Sequence, residues 1–190
     1  MELNERIIEY LNQEDMSYRP DELFAVILGE DSTEYDAFYK ALAALERAGD
    51  IIYTKKGKII ATRFSGVIKG TFRANARGFG FVTPENSTTK ERDIFISRDH
   101  TLDAIEGDIV LVSLTSPKYK NDGSQSQEGR VIKVVKHTVT CITGTLLLSR
   151  GRKKNPPVFY VVPDNKRYLF DIRIDRQDLS DADVGDKVDV

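Results

Sequence analysis

The segment NARGFGFVTPE, from Asn75 to Glu85, places aromatic residues at alternate positions. Side chains alternate between the two faces of a strand, so Phe79 and Phe81 lie on the same face. The two positions that flank Phe79 on the opposite face are glycines, Gly78 and Gly80. A strand that is buried on both faces is usually rich in Val, Ile and Leu instead. The segment therefore predicts a strand that presents an aromatic face to a ligand.

A run of short apolar stretches between polar turns surrounds this segment. It predicts five strands, at residues 66–76, 77–84, 93–97, 107–114 and 130–135, with a polar loop over residues 116–129. Five strands in about 70 residues are typical of an OB-type barrel. We therefore expect one β-barrel domain from residue 66 to residue 137.

The same alternation predicts that rings from neighbouring strands collect on one face of this barrel. In DIFIS, residues 93–97, Ile94 and Ile96 would face the core and Phe95 would face outward. The predicted face consists of Phe72, Phe79, Phe81 and Phe95, with Lys69, Arg73 and Arg77 beside it. Exposed rings stack on unpaired bases, at about 1–3 kcal/mol per base, and cations meet the phosphates. The pattern predicts a binding site for single-stranded nucleic acid.

The alternative is that these phenylalanines fill the core of a small barrel. However, the same strands already supply aliphatic residues for a core, namely Val82, Ile94, Ile96, Ile109 and Leu111. Burial of both faces would also leave no solvent-exposed position for Arg77 and Ser97. We therefore favour the nucleic-acid-binding interpretation.

Residues 1–65 show helical periodicity followed by a hairpin pattern. Leu3, Ile7 and Leu11 are spaced as one face of a first helix. Pro20 lies near the start of a second helix, and Gly29 lies just past its end. A third helix has Ser32 or Thr33 as its N-cap and an apolar stripe of Phe38, Ala41, Leu42 and Leu45. Two β-branched runs then flank the turn at residues 55–58, and this order predicts a winged helix-turn-helix domain.

The charge of that domain argues against sequence-specific DNA binding by the domain on its own. Residues 1–65 carry a net charge of −5, residues 66–137 of +2 and residues 138–190 of +1, which together give the whole-chain −2. The third helix is slightly negative, whereas duplex affinity depends on neutralising phosphates with Lys and Arg. A contact, regulatory or auxiliary RNA-binding role is favoured, with Lys55, Lys56, Lys58 and Arg63 as the available cations.

Composition excludes other classes of site. Cys141 is the only cysteine, which rules out an intramolecular disulfide, and two histidines make a His-based metal site unexpected. The N-terminus has no apolar signal-peptide core, and no apolar run approaches the roughly 18–20 residues that span a bilayer. We expect a cytoplasmic protein.

The motifs RGFGFV and DIFI resemble the two ribonucleoprotein motifs of cold-shock domains, which bind single-stranded nucleic acid. Phe72 matches the first aromatic position of that family's binding face, and Phe79, Phe81 and Phe95 match others. Ser97 and Arg98 stand where that family usually carries His and another aromatic residue. Together with IEGDIVLV and the preceding winged-helix pattern, these motifs resemble the N-terminal region of the bacterial ribonuclease R family.

The third segment repeats the second. When Pro84 is aligned with Pro163, FVTPE matches YVVPD and DIFISR matches DIRIDR. Asp93 and Gly107 are 14 residues apart, as are the aligned Asp171 and Gly185. The repeat predicts a second OB-fold domain over residues 138–190, with Tyr160 in place of Phe81. A basic loop would add RNA contacts through Arg150, Arg152, Lys153 and Lys154, although a solvated turn is an equal alternative.

The repeat also predicts an incomplete second barrel. In the first copy the last strand begins 23 residues after Gly107, and the same interval from Gly185 ends beyond residue 190. We expect this chain to be part of a longer protein. The predicted fold is α+β and multidomain, with a winged helix-turn-helix domain at 1–65, a cold-shock domain at 66–137 and a truncated one at 138–190.

The resemblance implies a function. Ribonuclease R-like proteins are processive 3′–5′ exoribonucleases whose downstream catalytic domain holds Mg²⁺ with clustered aspartates. No such constellation is visible here, because Asp171, Asp175 and Asp178 are spread along a strand and its exit. We expect a chain without catalytic residues or a cofactor of its own, which captures single-stranded RNA, or structured RNA with a single-stranded end. Protein partners would contact the winged helix domain. The alternative is a stand-alone regulator or RNA chaperone with no nuclease.

Overall fold

The computed structural model describes residues 2–13, 15–30, 32–85, 93–115, 118–119, 125–151 and 156–190. Within these ranges three helices precede a series of short strands, so the predicted α+β class is confirmed. No helix of the described chain is long and apolar enough to cross a membrane.

The first unit contains the three helices and a two-stranded hairpin. Its elements are α1 (Leu3–Leu11), α2 (Pro20–Leu28), α3 (Tyr35–Arg47), β1 (Ile51–Tyr53) and β2 (Ile59–Ala61). Pro20 is the first residue of α2, and Gly29 follows its end with a φ of 90°. The apolar stripes of all three helices and both strands meet in one core. The predicted order of elements is confirmed, while the winged helix-turn-helix interpretation stays a prediction.

The predicted N-cap of α3 is wrong. The helix is preceded by Glu34, which makes no side-chain capping bond. The hydroxyl of Ser32 instead accepts a hydrogen bond from the backbone nitrogen of Glu34 at 3.3 Å. Ser32 therefore stabilises the turn before the helix and leaves the first helical amides without a side-chain cap.

The second unit is a closed five-stranded barrel. Its strands are β3 (Val67–Ala74), β4 (Gly80–Pro84), β5 (Ile94–Ile96), β6 (Ile109–Leu114) and β9 (Glu128–Lys136), joined in the order β3-β4-β5-β9-β6. All five predicted strands are confirmed. Between β6 and β9, where we predicted only a loop, lies a short pair, β7 (Lys118–Tyr119) and β8 (Gln125–Ser126). Five strands in a closed barrel are the architecture of an OB fold.

Strand β6 is covered on both faces. Val110 and Val112 lie in the barrel core, whereas Ile109 and Leu111, which we predicted there, lie outside that cluster. Ile109 is partly exposed, and Leu111 is 2% exposed. A Cβ atom built on Gly49 would lie 3.3 Å from Cδ2 of Leu111 and 2.9 Å from Cγ2 of Val135. The outer face of the barrel is therefore buried at Leu111, against the turn that follows α3, and the prediction for Leu111 failed because a second unit covers that part of the face.

Polar contacts reinforce this helix–barrel junction, which consists of Gly49, Asp50, Lys69, Leu111 and Val135. Nζ of Lys69 lies 2.9 Å from Oδ1 of Asp50. Nζ of Lys133 donates to the backbone carbonyl of Glu46 at 2.9 Å. The first unit is thus attached to the barrel by apolar packing and by two lysine contacts.

The third unit is an open four-stranded sheet that copies four strands of the barrel. Its strands are β10 (Thr143–Leu148), β11 (Phe159–Pro163), β12 (Ile172–Ile174) and β13 (Lys187–Asp189), in the order β12-β11-β10-β13. The corresponding order in the barrel is β5-β4-β3-β6. Gly70 pairs with Pro84 in β3 and β4, and Gly144 pairs with Pro163 in β10 and β11. The alignment predicted from the sequence is the structural register.

Loop details repeat as well. The amide of Phe72 donates to the carbonyl of Asp108 at 2.8 Å, and the amide of Leu146 donates to that of Asp186 at 2.9 Å. Leu102 and Ser180 occupy the left-handed region with φ values of 54° and 51°. Such backbone conformations are uncommon for residues other than glycine, so their recurrence supports an internal repeat.

Candidate nucleic-acid interface

Three phenylalanines form a compact group on the outer face of the barrel. Phe81 of β4 is directly opposite Phe95 of β5, and Phe79 precedes β4. The ring centroids of Phe79, Phe81 and Phe95 are 5.6 to 5.8 Å apart in all three pairs, with tilted and edge-on geometry. Each residue is partly exposed. This three-ring cluster supports itself by edge-to-face contacts and leaves ring surface for a ligand.

Phe72 does not belong to the three-ring cluster, and our prediction for this residue is wrong. Its side chain is 1% exposed and lies in the barrel core. The register pairs Phe72 with the buried Val82 and pairs Arg73 with Phe81. Because neighbouring residues of a strand point to opposite faces, Arg73 is the side chain that β3 contributes beside the rings.

The glycine at position 80 serves the core and not the ligand. A Cβ atom built there would lie 2.3 Å from Cζ of Phe72. The lack of a side chain at Gly80 therefore makes room for the Phe72 ring. Gly78 does lie at the surface, with a φ of 93° that side chains rarely adopt.

Arg73 is held by an acidic neighbour. Its guanidinium forms an ion pair with Asp93, whose other carboxylate oxygen accepts a hydrogen bond from the Thr83 hydroxyl at 2.7 Å. The Nε atom of Arg73 is buried and has no hydrogen-bond partner in the described chain. Arg73 is therefore next to Phe81 as predicted, but its charge is compensated.

The other two predicted cations differ in availability. Lys69 lies between Asp50 and Glu85, at 2.9 and 3.7 Å from their carboxylate oxygens, so it belongs to the helix–barrel junction. Arg77 is exposed, and its backbone nitrogen donates to Oδ1 of Asn75 at 3.0 Å. Within the described residues Arg77 forms no ion pair, so it is the predicted cation that stays available for a phosphate.

The structure adds Arg98 to this site. It begins a short 3₁₀ helix after β5, and its Cδ atom would lie 3.0 Å from a Cβ atom built on Gly78. Arg98 is exposed, and its side chain lies beside Gly78, the neighbour of Phe79. In the sequence, position 98 is notable only because cold-shock domains usually carry an aromatic residue there. A residue that directly follows a motif strand nevertheless lies at the edge of the same face. A cation there can contact the phosphate of a stacked nucleotide.

The third unit presents a weaker version of this face. Tyr160 of β11 is partly exposed and lies between Leu147 and Arg173 in the register. The repeat alignment placed Tyr160 at the position of Phe81 and Arg173 at that of Phe95, and the strand pairing agrees with it. One ring is therefore available here, compared with three in the barrel.

The predicted basic loop is described only at its start. Arg150 is exposed, whereas Arg152, Lys153 and Lys154 lie outside the described residues. Their proposed contact with RNA stays a prediction.

Comparisons with known proteins agree with this geometry. The family model described as Ribonuclease B OB domain matches residues 70–134, which include the whole three-ring cluster. Ribonuclease R 1 of Lactococcus lactis is 30% identical over 185 residues, which cover 94% of this chain and 22% of that protein. Ribonuclease R of Escherichia coli is 26% identical over 181 residues, which cover 95% of this chain and 21% of that protein. The resemblance to ribonuclease R is confirmed.

A solved structure supports the fold. The RNase R of Mycoplasma genitalium in complex with ribose-methylated single-stranded RNA matches with a TM-score of 0.52 and 14% identity, over 64% of this chain and 18% of that one. This chain thus spans about a fifth of the length of the ribonuclease R proteins it resembles. Its similarity to ribonuclease R extends over nearly all of its own residues, beyond the matched OB domain.

The described part of the chain contains no candidate site for metal-dependent catalysis. No group of three or more His, Cys, Asp or Glu side chains there is placed to hold a metal ion. Asp171 is exposed before β12, Asp175 precedes the 3₁₀ helix that follows this strand, and Asp178 is the last residue of that helix. In the repeat, Asp171 aligns with Asp93, which stabilises Arg73.

Proposed function

We propose that this chain is the RNA-binding N-terminal region of a ribonuclease R-like 3′–5′ exoribonuclease. It captures single-stranded RNA in the cytoplasm and guides it to a downstream catalytic domain that contains Mg²⁺. The observation that carries this proposal is the three-ring cluster, because three partly exposed rings on one face of the barrel form a stacking surface for unpaired bases. A neighbour in fold, the RNase R of M. genitalium, is in complex with single-stranded RNA.

The units have separate roles in this proposal. The barrel and the third unit are tandem cold-shock domains, of which the first supplies most of the stacking and the second adds Tyr160 and the basic loop. The helical unit is a winged helix-turn-helix domain that contacts structured RNA or protein partners. Lys55 and Lys56 of its hairpin are exposed and would supply cations for such contacts.

The stacking claim is tested by replacing Phe81 and Phe95 together. We expect Phe81→Ala/Phe95→Ala to lose about 1–3 kcal/mol of affinity for each base stack that is removed, measured by fluorescence anisotropy with a labelled single-stranded RNA. Phe81→Leu/Phe95→Leu is the matched variant, since it keeps apolar volume and removes the aromatic face. It should lose nearly as much affinity, whereas Phe81→Tyr/Phe95→Tyr should bind like the wild type.

Two controls make this result specific. Tyr39 is an aromatic residue of α3 that is 52% exposed, and Tyr39→Leu should leave RNA affinity unchanged. Circular dichroism must show that each variant is folded. Equal RNA affinity in the wild type and the alanine double variant would defeat the proposal for this site.

The proposal places the catalytic residues outside this chain, and a nuclease assay tests that part of it separately. Incubated with Mg²⁺ and an RNA labelled at its 5′ end, the 190-residue chain should leave the RNA at full length. Stepwise shortening of the RNA would show that the chain has catalytic residues that the proposal denies it.

A further inference from the structure

A cleft lies between the barrel and the third unit, next to the three-ring cluster. Its volume is about 190 Å³. From the barrel it is lined by Phe72, Ala74, Asn75, Gly78, Phe79 and the loop 101–105, and from the third unit by Arg167, Leu169 and Phe170. Phe79 belongs both to this lining and to the three-ring cluster, so the cleft continues the proposed binding face.

An ion pair holds the two walls of the cleft in place. Nη1 of Arg167 lies 2.5 Å from Oε1 of Glu106, which is largely buried. The other oxygen of Glu106 accepts a hydrogen bond from the backbone nitrogen of Ala74, the last residue of β3, at 2.6 Å. Glu106 therefore connects the loop 165–170 of the third unit to the strand that runs beside the rings.

The mouth of the cleft is unusually apolar for a surface site. Leu169 is 57% exposed, Leu102 is 63% exposed and Phe170 is 40% exposed. Phe170 is supported by Tyr168, with ring centroids 5.8 Å apart. Exposed apolar side chains that gather around one concavity mark a binding site, whereas isolated ones do not.

The geometry points to a nucleobase subsite in this cleft: one base of a single-stranded RNA leaves the stack on the three-ring cluster and inserts between Phe79 and Phe170. This inference rests on the proposed function, because the same RNA must lie on the three-ring cluster.

Size and charge select a base over other parts of the RNA. The volume is below the roughly 300 Å³ at which drug-sized ligands begin to fit, so it suits a single ring system. The guanidinium of Arg167 is already paired with Glu106, and Asp103 lines the cleft, so none of the described lining residues offers an unpaired cation to a phosphate. Asn75 lines the cleft too, and its Oδ1 is used by Arg77, which leaves the amide nitrogen as a donor for a base edge.

The test combines affinity with a position-specific signal. A series of single-stranded RNAs carries the fluorescent base 2-aminopurine at successive positions, and each is bound to the full 190-residue chain. In the wild type, one position next to the stacked segment should give a fluorescence that differs from that of its neighbours. In Leu169→Ala/Phe170→Ala this distinct signal should disappear, and affinity should fall about tenfold. Leu148→Ala is the matched control, because Leu148 is 43% exposed in the same unit and does not line the cleft.

The outcomes separate the two proposals. If Phe81→Ala/Phe95→Ala weakens binding while the cleft variant keeps both its affinity and the distinct 2-aminopurine position, the cleft subsite is overturned and the proposed function stands. If the wild type binds no single-stranded RNA, both fall. If the cleft variant changes only the sedimentation of the protein, the cleft is a protein contact and the base subsite is overturned.

Discussion

Gly80 and Phe72 share one space in the barrel core, since a Cβ atom at position 80 would lie 2.3 Å from Cζ of the Phe72 ring. Overpacking of a well-packed core typically costs about 1–3 kcal/mol. We therefore expect Gly80→Ala to lower the free energy of unfolding by about that amount in chemical denaturation. Adding Phe72→Leu should recover part of the loss. A Gly80→Ala protein of full stability that binds RNA poorly would instead assign this glycine to the ligand face.

Phe72 and Phe81 should respond to substitution in opposite ways. Phe72 is 1% exposed, so Phe72→Ala leaves a cavity and should cost about 3–5 kcal/mol of stability. Phe81 is partly exposed, so Phe81→Ala should cost less stability and more RNA affinity. Denaturation and RNA titration of the same two proteins measure both quantities. To keep Phe72 testable if its alanine variant does not fold, Phe72→Leu should fold and lose less stability than Phe72→Ala.

Lys69 and Arg77 should differ in the salt dependence of RNA binding. Each phosphate contact contributes to the slope of affinity against salt concentration, so Arg77→Ala should reduce that slope by about 1. Lys69→Ala should leave the slope unchanged, because Lys69 is paired with Asp50. It should instead lower stability by about 0.5 kcal/mol or less, given that both groups are partly exposed. If the two variants reduce the slope equally, Lys69 also contacts a phosphate of the RNA.

Tyr168, on the loop that forms the cleft, should ionise only at strongly alkaline pH. Burial, followed by the nearby carboxylates of Glu106 and Asp108, raises the pKa of its hydroxyl above 10.0. The folded state therefore holds this proton more tightly than the unfolded state. The resulting stability is fully present below pH 10.0 and is lost as the pH rises through the higher folded pKa. A difference titration of tyrosinate absorbance between the wild type and Tyr168→Phe measures the pKa of Tyr168 in the folded protein. Ionisation of Tyr168 at or below pH 10.0 would contradict the prediction.

The helices and strands of this fold follow from local sequence patterns. The environment of each strand face does not always follow from them. Helical spacing located α1 to α3, and β-branched runs located the five barrel strands. Phe72 was assigned to the wrong face because strand register, which decides which residue lies opposite Phe81, depends on pairing that the sequence does not show. Leu111 was assigned to the wrong core because α3 covers a surface that would be exposed on an isolated barrel. Tertiary contact, not local propensity, decided both.

The candidate site, too, could be predicted from the sequence only in part. Alternation along β4 and β5 correctly placed Phe79, Phe81 and Phe95 together, since their relative position depends on the period of a strand. The partners of the cations depend on distant segments, so pairing of Lys69 with Asp50 could not be predicted. The cleft was missed for the same reason, because one of its walls, formed by Arg167, Leu169 and Phe170, comes from the third unit.

Asp93 limits the charge of the binding face, so its removal should strengthen RNA binding. Its carboxylate compensates Arg73, which lies directly opposite Phe81. In Asp93→Asn, Arg73 carries an uncompensated charge beside the rings, and the salt slope of RNA binding should steepen by about 1. Affinity at low salt should rise, while stability should fall by about 1 kcal/mol because the ion pair is lost.

The matched control separates charge from disruption of the strand. Arg73→Gln/Asp93→Asn removes both charges and keeps two hydrogen-bonding side chains, so its salt slope should equal that of the wild type. Affinity titrations over a series of salt concentrations measure all three proteins. A steeper slope in the double variant, or a weaker affinity in Asp93→Asn at every salt concentration, would show that Asp93 supports RNA binding through structure and not by restraining the charge of Arg73.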